Sequence, residues 1–303
     1  MVRAGLFKGV SAVLHWHPGD RNEVIMSSAL ANKSAKFRFY GVSAHAAAAP
    51  EKGRSALDGV EALNYMVNMM REHSPSEARI HYVITNGGRA PNVIPDFAEV
   101  YYYVRHPKRD QTVAIFDRIV KAAEGAALGT ETRTDYEIIG GTHDLLINRT
   151  LAEVMYENLR TVGGIAYSQD DSNFAEKIQT SLSQPPPVAS AFAVVPLKKE
   201  VDVWSASTDV GDVSYTTPTV GLRAATWVPG TAPHTWQAVA AGGTQIGMKG
   251  MMVAAKVMSW TAIDLLSDAN IIRNATAEFK QSVGDYQYKA LLGDKAPALN
   301  YRD

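Results

Sequence analysis

A repeated change of hydrophobic period between residues 34 and 139 constrains this chain more than any other feature. Residues 34–42 alternate, with Phe37 and Phe39 facing away from Lys36 and Arg38. A two-residue period belongs to a strand with one buried face. From Ser55 the apolar residues Leu57, Val60, Leu63, Val67 and Met70 fall at helical spacing, and Ser55 stands where an N-cap belongs. Strand-forming residues return at 79–85 and 96–105, on either side of the turn signal Asn86-Gly87-Gly88. A second helix follows Asp110, with Val113, Phe116, Ile119, Val120 and Ala123 on one side. Residues 131–139 make a last strand. The order strand, helix, strand, strand, helix, strand is that of the split βαβ, ferredoxin-like unit, whose helices cover one face of a sheet.

The limits of this unit, 33–142, leave sequence on both sides. The flanks, 1–32 and 143–303, read as a single α/β domain into which the unit is inserted. Residues 10–15 predict a short buried strand, and 149–162 a helix with Leu151, Val154, Met155 and Leu159 inward. Pro185-Pro186-Pro187 cannot continue a helix. Short strands are expected at 191–195 and 219–227, and one long Ala- and Met-rich helix over about 237–266. From Gly284 the chain reads as a loosely held tail. No repeat occurs at solenoid or propeller periods.

Composition excludes some partners. Thirty basic residues against thirty-one acidic ones leave a net charge of −1, which gives no electrostatic footprint for nucleic acid or an anionic membrane. Without cysteine there is neither a disulfide framework nor a thiolate ligand. No apolar run reaches the length of a membrane helix, and Arg3 and Lys8 interrupt any signal-like stretch at the start. The expectation is a soluble, cytoplasmic chain acting on a small molecule.

Several residues could carry chemistry. In His15-Trp16-His17-Pro18 the two imidazoles share a strand face and could converge on one metal ion. The alternative is a strand-end pair satisfied by the backbone, since two histidines do not complete a site. His45 sits among small residues in Gly41–Pro50, a loop with little packing reason to hold an imidazole. Asn92, in Gly87–Pro95, offers a donor and an acceptor or simply forms a turn. Arg105 could grip a carboxylate with two hydrogen bonds or make a surface ion pair. His234, before the long helix, could be aimed into a cleft at the carboxyl end of strands. Asp209 and Asp212 lie in a Gly-containing turn, where helix capping is the ordinary role.

Taken in order, these segments resemble the aminoacylase, carboxypeptidase and amidohydrolase family of dinuclear metallopeptidases. The likeness rests on Leu14-His15 with Pro18, the Gly-x-x-Ala-His45 loop, Gly-Gly-x-x-x-Asn92-Val-Ile-Pro and Arg105. Ser-Thr-Asp209-Val-Gly-Asp-Val-Ser and His234-Thr-Trp complete the set. The resemblance implies a zinc-peptidase-like catalytic domain carrying an inserted ferredoxin-like lid and dimerisation domain. It implies His15 and His234 as ligands to two divalent metal ions, manganese or zinc, with His17 a neighbour. It further implies His45 as the lid residue that stabilises a tetrahedral oxyanion, Asn92 and Arg105 as substrate-binding residues, and the Asp209 segment as pocket lining. In dimers of the family, lid residues often reach the partner's active site, so a homodimer through the lid is expected; the absent half of the catalytic domain is either truncated or supplied by a second subunit. Family members also carry a His-x-Asp motif and a Glu-Glu pair that supplies the general base. Neither occurs here, so the catalytic domain is expected to be partial and the isolated chain inactive. The expected reaction of the complete enzyme is hydrolysis of the amide bond of an N-acyl- or aroyl-amino acid such as an aroyl-glutamate. A non-catalytic dimerisation or ligand-binding remnant is the competing reading. A β-barrel metal oxygenase built on His15-x-His17 is disfavoured by the helices.

Overall fold

A computed structural model describes residues 1–296. Among them lie nine strands: β1 (Val13–Gly19), β2 (Glu23–Val24), β3 (Ser27–Ser28), β4 (Ala31–Tyr40), β5 (Arg79–Asn86), β6 (Phe97–His106), β7 (Arg133–Thr142), β8 (Asp202–Val203) and β9 (Thr219–Ala225). Eight α-helices accompany them: α1 (Ala56–Met70), α2 (Arg109–Gly129), α3 (Arg149–Val162), α4 (Gln169–Gln179), α5 (Val210–Ser214), α6 (Trp236–Gly242), α7 (Gln245–Ser267) and α8 (Ala269–Val283). The chain divides into two units. The first comprises Met1–Ser28, Leu146–Asp202 and Val213–Tyr286; the second comprises Ala29–Leu145, Val203–Asp212 and the described residues from Gln287 on.

In the second unit, β4, α1, β5, β6, α2 and β7 follow one another, and the sheet order is β5-β6-β4-β7 with every pair antiparallel. The alternation read from the sequence sets its two faces. Ala35, Phe37 and Phe39 of β4 and Ala98, Val100, Tyr102 and Val104 of β6 are buried beneath α1 and α2. Phe37 meets Tyr102 edge-on at 5.7 Å. Ser55 caps α1 by accepting from the Asp58 amide at 3.2 Å. Gly59 lets α1 close on the sheet, since a Cβ there would stand 2.4 Å from Phe39. The other face is charged: Glu99 pairs with Lys36 and Arg38, and Arg38 also reaches Glu137.

In the first unit, β1 and β2 flank β9, β1 parallel and β2 antiparallel to it. Leu222, Ala224 and Ala225 of β9 are buried with Leu151, Met155 and Leu159 of α3 and Val257 of α7. Asn22 fastens this core. Its carboxamide nitrogen donates to the Ala191 and Ala193 carbonyls, and its oxygen accepts from the Ala225 amide.

Three local expectations are corrected. The helix foreseen at 237–266 is two helices, because Gly243 and Thr244 interrupt it and Thr244 caps α7 through its hydroxyl. The strand foreseen at 191–195 is a 3₁₀ turn over Val188–Phe192 followed by an isolated bridge from Val194 to Asn22. The tail beyond Gly284 is held: Tyr288 donates to Asp212 at 2.7 Å, and Lys295 pairs with Glu137 at 2.7 Å. The rest of the expected tail, 297–303, lies outside the described residues.

Candidate functional site

The second unit carries two separate groups of polar residues. The first forms where the loop after β4 meets the loop before β6. His45 and Val93 make a two-stranded bridge; the Ala46 amide donates to the Asn92 carbonyl and the Ile94 amide to the Ala44 carbonyl, both at 3.0 Å. The loops that carry His45 and Asn92, 47 positions apart in sequence, therefore pair through their backbones, with Val93 opposite His45 and Asn92 opposite Ala46. Glycines permit the close approach. A Cβ on Gly41 would lie 1.9 Å from the Arg54 carbonyl, and one on Gly53 would lie 2.3 Å from Ile94.

The His45 ring is oriented by its own loop. Its Nδ1 accepts the amide protons of Ala47 at 3.2 Å and Ala48 at 3.1 Å. A nitrogen that accepts cannot carry the proton, so the neutral ring holds it on Nε2. The ring is exposed, leaving a fixed N–H donor at the surface. A shallow pocket of about 540 Å³ between the same loops is bounded by Ala46, Gly53, Ser55, Asp58, Arg89 and Ile94, and neither His45 nor Asn92 lines it.

The second group is at the opposite end of the same sheet. Arg105 lies on the charged face of β6, its guanidinium 5.5 Å from the Tyr103 ring centre. Its buried Nε has no hydrogen-bond partner. In register with it are Asn32 on β4 and, beyond Asn32, Thr142 on β7. From Asn32 to Tyr40 the strand runs about 27 Å at ~3.4 Å per residue, so the His45 and Arg105 groups are far apart within one chain.

One cluster escaped the sequence reading. His143 is fully buried, with Nδ1 3.1 Å from Asp212 Oδ1 and its ring 5.0 Å from that of Tyr288. Gly211 admits the strand end, since its Cβ would stand 2.1 Å from the His143 carbonyl. Only the position of His143 just past the expected limit of the inserted unit at 142 hinted at it. Asp212 thus ties the tail to the sheet end, while Asp209 is exposed ahead of α5.

In the first unit, His15 is on β1, in register with Gly221 of β9. A Cβ on Gly221 would meet His15 Nε2 at 2.2 Å, so the glycine makes room for the ring. Burial, reinforced by the neighbouring His17, lowers the His15 pKa to about 4. The imidazole is neutral at pH 7, as a metal ligand must be. His17 is exposed, and its Nδ1 lies 2.6 Å from the Pro18 carbonyl. His234 is exposed too, at φ +61° in the loop between β9 and α6, where Thr235 caps the helix. β1 and β9 end together, and His15 lies four positions before that end. Among the described residues no group of three or more His, Asp or Glu side chains could hold a metal ion.

Residues 31–131 match the family described as a peptidase dimerisation domain. The likeness to the aminoacylase, carboxypeptidase and amidohydrolase family extends over nearly the whole chain, and its relatives are hydrolases and peptidases. Peptidases of this family are generally dinuclear metal enzymes. In particular, the chain is 37% identical to a p-aminobenzoyl-glutamate hydrolase subunit of Escherichia coli (strain K12), over 95% of this chain and 65% of that protein. It is 27% identical to the Xaa-Arg dipeptidase of Homo sapiens, over 95% of this chain and 59% of that one. The crystal structure of an aminobenzoyl-glutamate utilization protein from Klebsiella pneumoniae shares the fold, with a TM-score of 0.60 and 18% identity over 87% of this chain and 57% of that one. The chain thus spans about three-fifths of the length of these relatives. No helix among the described residues is long and apolar enough to cross a membrane.

Proposed function

We propose that this chain is the lid-bearing part of a metal-dependent amidohydrolase that cleaves an N-acyl- or aroyl-amino acid of the p-aminobenzoyl-glutamate kind. The observation that carries this reading is the His45 ring, held by two backbone amides as an Nε2–H donor on a loop that pairs with the loop of Asn92. Such a donor stabilises the oxygen that becomes negative when water adds to an amide carbonyl, an effect of about 2.7–4 kcal/mol for a single donor. Asn92 positions the substrate, and the Arg105 guanidinium binds its terminal carboxylate. When bound, two divalent ions would supply an acidified water; His15 and His234 would be this chain's contributions to holding them. The first unit is the partial catalytic domain and the second the lid.

Because His45 and Arg105 sit at opposite ends of one sheet, a single small substrate cannot touch both from one chain. A homodimer resolves this, with the His45 loop of one copy serving its partner. The dimer face is the β5 edge together with α1, where Tyr65, Met69, Val83 and Ile84 are exposed. An added strand at that edge would extend the sheet.

The test is release of p-aminobenzoate from p-aminobenzoyl-glutamate with manganese or zinc, alongside metal analysis. The chain alone should hold fewer than two ions and turn over nothing. Robust turnover with two bound ions per chain would refute the partial-site reading. A second reading, a non-catalytic dimerisation module, is favoured by the match of residues 31–131 to a dimerisation domain. Sedimentation decides about the interface: Val83→Lys should convert dimer to monomer, and an unchanged dimer would place the interface elsewhere.

A further inference from the structure

Buried polar atoms without partners are few in folded proteins, because each costs the hydrogen bonds it made to water. In the second unit such atoms include Asn32 Oδ1, Arg105 Nε, Thr142 Oγ1 and Ser207 Oγ. Three of them form a row. Arg105, Asn32 and Thr142 are paired in register across β6, β4 and β7, and residues directly opposite on neighbouring strands project from the same face. That face is the one turned away from α1 and α2, since Val104, adjacent to Arg105, is in the core. Lys33, adjacent to Asn32, lies over the Phe116 ring on the helix side. The fourth atom arrives on another segment: the Leu30 amide donates to the Ala206 carbonyl at 2.8 Å, which ties the Ser207 stretch to the start of β4.

The row spans about 10 Å at the ~5 Å spacing of paired side chains. It presents a guanidinium with no carboxylate partner among the described residues, a carboxamide oxygen that can only accept, and the Thr142 hydroxyl, while the Ser207 hydroxyl belongs to the neighbouring segment. A bare carboxylate would leave the Asn32 oxygen unpaired. A ligand that offers a carboxylate and, two bonds away, an N–H would satisfy both.

Resting on the amidohydrolase reading above, we propose that Asn32, Thr142 and Ser207 complete a recess around Arg105 that takes the –NH–CH–COO⁻ end of an acylated amino acid. The Asn32 carboxamide accepts the amide N–H, and the hydroxyls share the carboxylate with Arg105. These residues determine specificity: the recess distinguishes an amide from an ester and an acylamino acid from a simple carboxylic acid.

Calorimetric titration of the full chain without metal tests this, because it needs no turnover. The probes are p-aminobenzoyl-glutamate and its isostere with an ester oxygen in place of the amide N–H. The wild-type chain should bind the amide roughly tenfold tighter, the value of one hydrogen bond of about 1.4 kcal/mol. Asn32→Leu should equalise the two affinities, with Asn32→Ala as the alternative should the leucine not fit. Thr142→Val and Ser207→Ala should weaken both probes severalfold and leave their ratio intact. Equal binding of amide and ester by the wild-type chain, a ratio unmoved by the Asn32 variants, or no binding of either probe would overturn the recess. Absent hydrolysis of p-aminobenzoyl-glutamate by an assembly that supplies the rest of the metal site, with the binding pattern intact, would instead count against the amidohydrolase reading alone.

Discussion

The two units leave different surfaces bare. The second unit has an antiparallel sheet whose uncovered face is a network of Lys36, Arg38, Glu99 and Glu137. Antiparallel sheets tolerate one wet face when it is polar. In the first unit β1 is a sheet edge with a parallel neighbour on one side only, and parallel pairing belongs to sheets covered on both faces. Its longest helix, α7, exposes Met248, Met251, Met252, Trp260, Ile263 and Leu266. Large apolar side chains exposed along one helix are a candidate interaction surface. The second unit buries its core beneath two helices and leaves a charged sheet face, whereas the first leaves large apolar side chains exposed along its longest helix.

The largest expected effect follows from that contrast. Phe37→Ala removes a fully buried ring at the centre of the second unit and should cost about 3–5 kcal/mol, read by urea unfolding. Its loss should leave the signals of the first unit in place. One merged transition for wild type and variant would break the comparison. Next, in a turnover-competent assembly of this chain, His45→Ala should lower kcat by about 10²–10³ with little change in stability, because the ring is exposed.

Legibility followed the same divide. The second unit could be read almost whole, because alternation in β4 and β6 and the helical spacing of α1 and α2 point to one buried face. The helix α3 was legible for a like reason, with Asn148 as a cap that accepts from the Leu151 amide. By contrast, α4 was missed because Gln169–Asn173 reads as a polar run. Only the Ser168–Asp171 capping box marks its start. The divided long helix turned on a Gly-Gly-Thr whose cap geometry shows only in three dimensions. Of the candidate residues, His45 and Asn92 were singled out separately; nothing in their spacing says that their loops pair. Asn32 and Thr142 look like ordinary strand residues, and only the register across β4 places them beside Arg105.

A third prediction concerns His15. Its folded pKa of about 4 lies below the 6.5 of the unfolded chain, so the unfolded state takes up a proton first as pH falls. Stability present above pH 6.5 should be lost progressively down to about pH 4, by up to about 3 kcal/mol. His15→Gln should flatten that dependence, checked by urea midpoints at pH 7.5, 6 and 4.5. The smallest effect is at the tail. Lys295, together with Arg38, holds the Glu137 pKa at about 2. Lys295→Ala should raise it measurably in an NMR titration while changing stability by less than about 1 kcal/mol, as exposed pairs do.

The claim on which the rest depends is that two backbone amides hold the His45 ring as a neutral Nε2–H donor. Nitrogen-15 NMR of the imidazole in the intact chain near pH 8 measures this directly. The expected spectrum shows a protonated Nε2 and an unprotonated, hydrogen-bond-accepting Nδ1, with the amide protons of Ala47 and Ala48 coupled to it. A ring carrying its proton on Nδ1, or one exchanging evenly between the two tautomers, would contradict it.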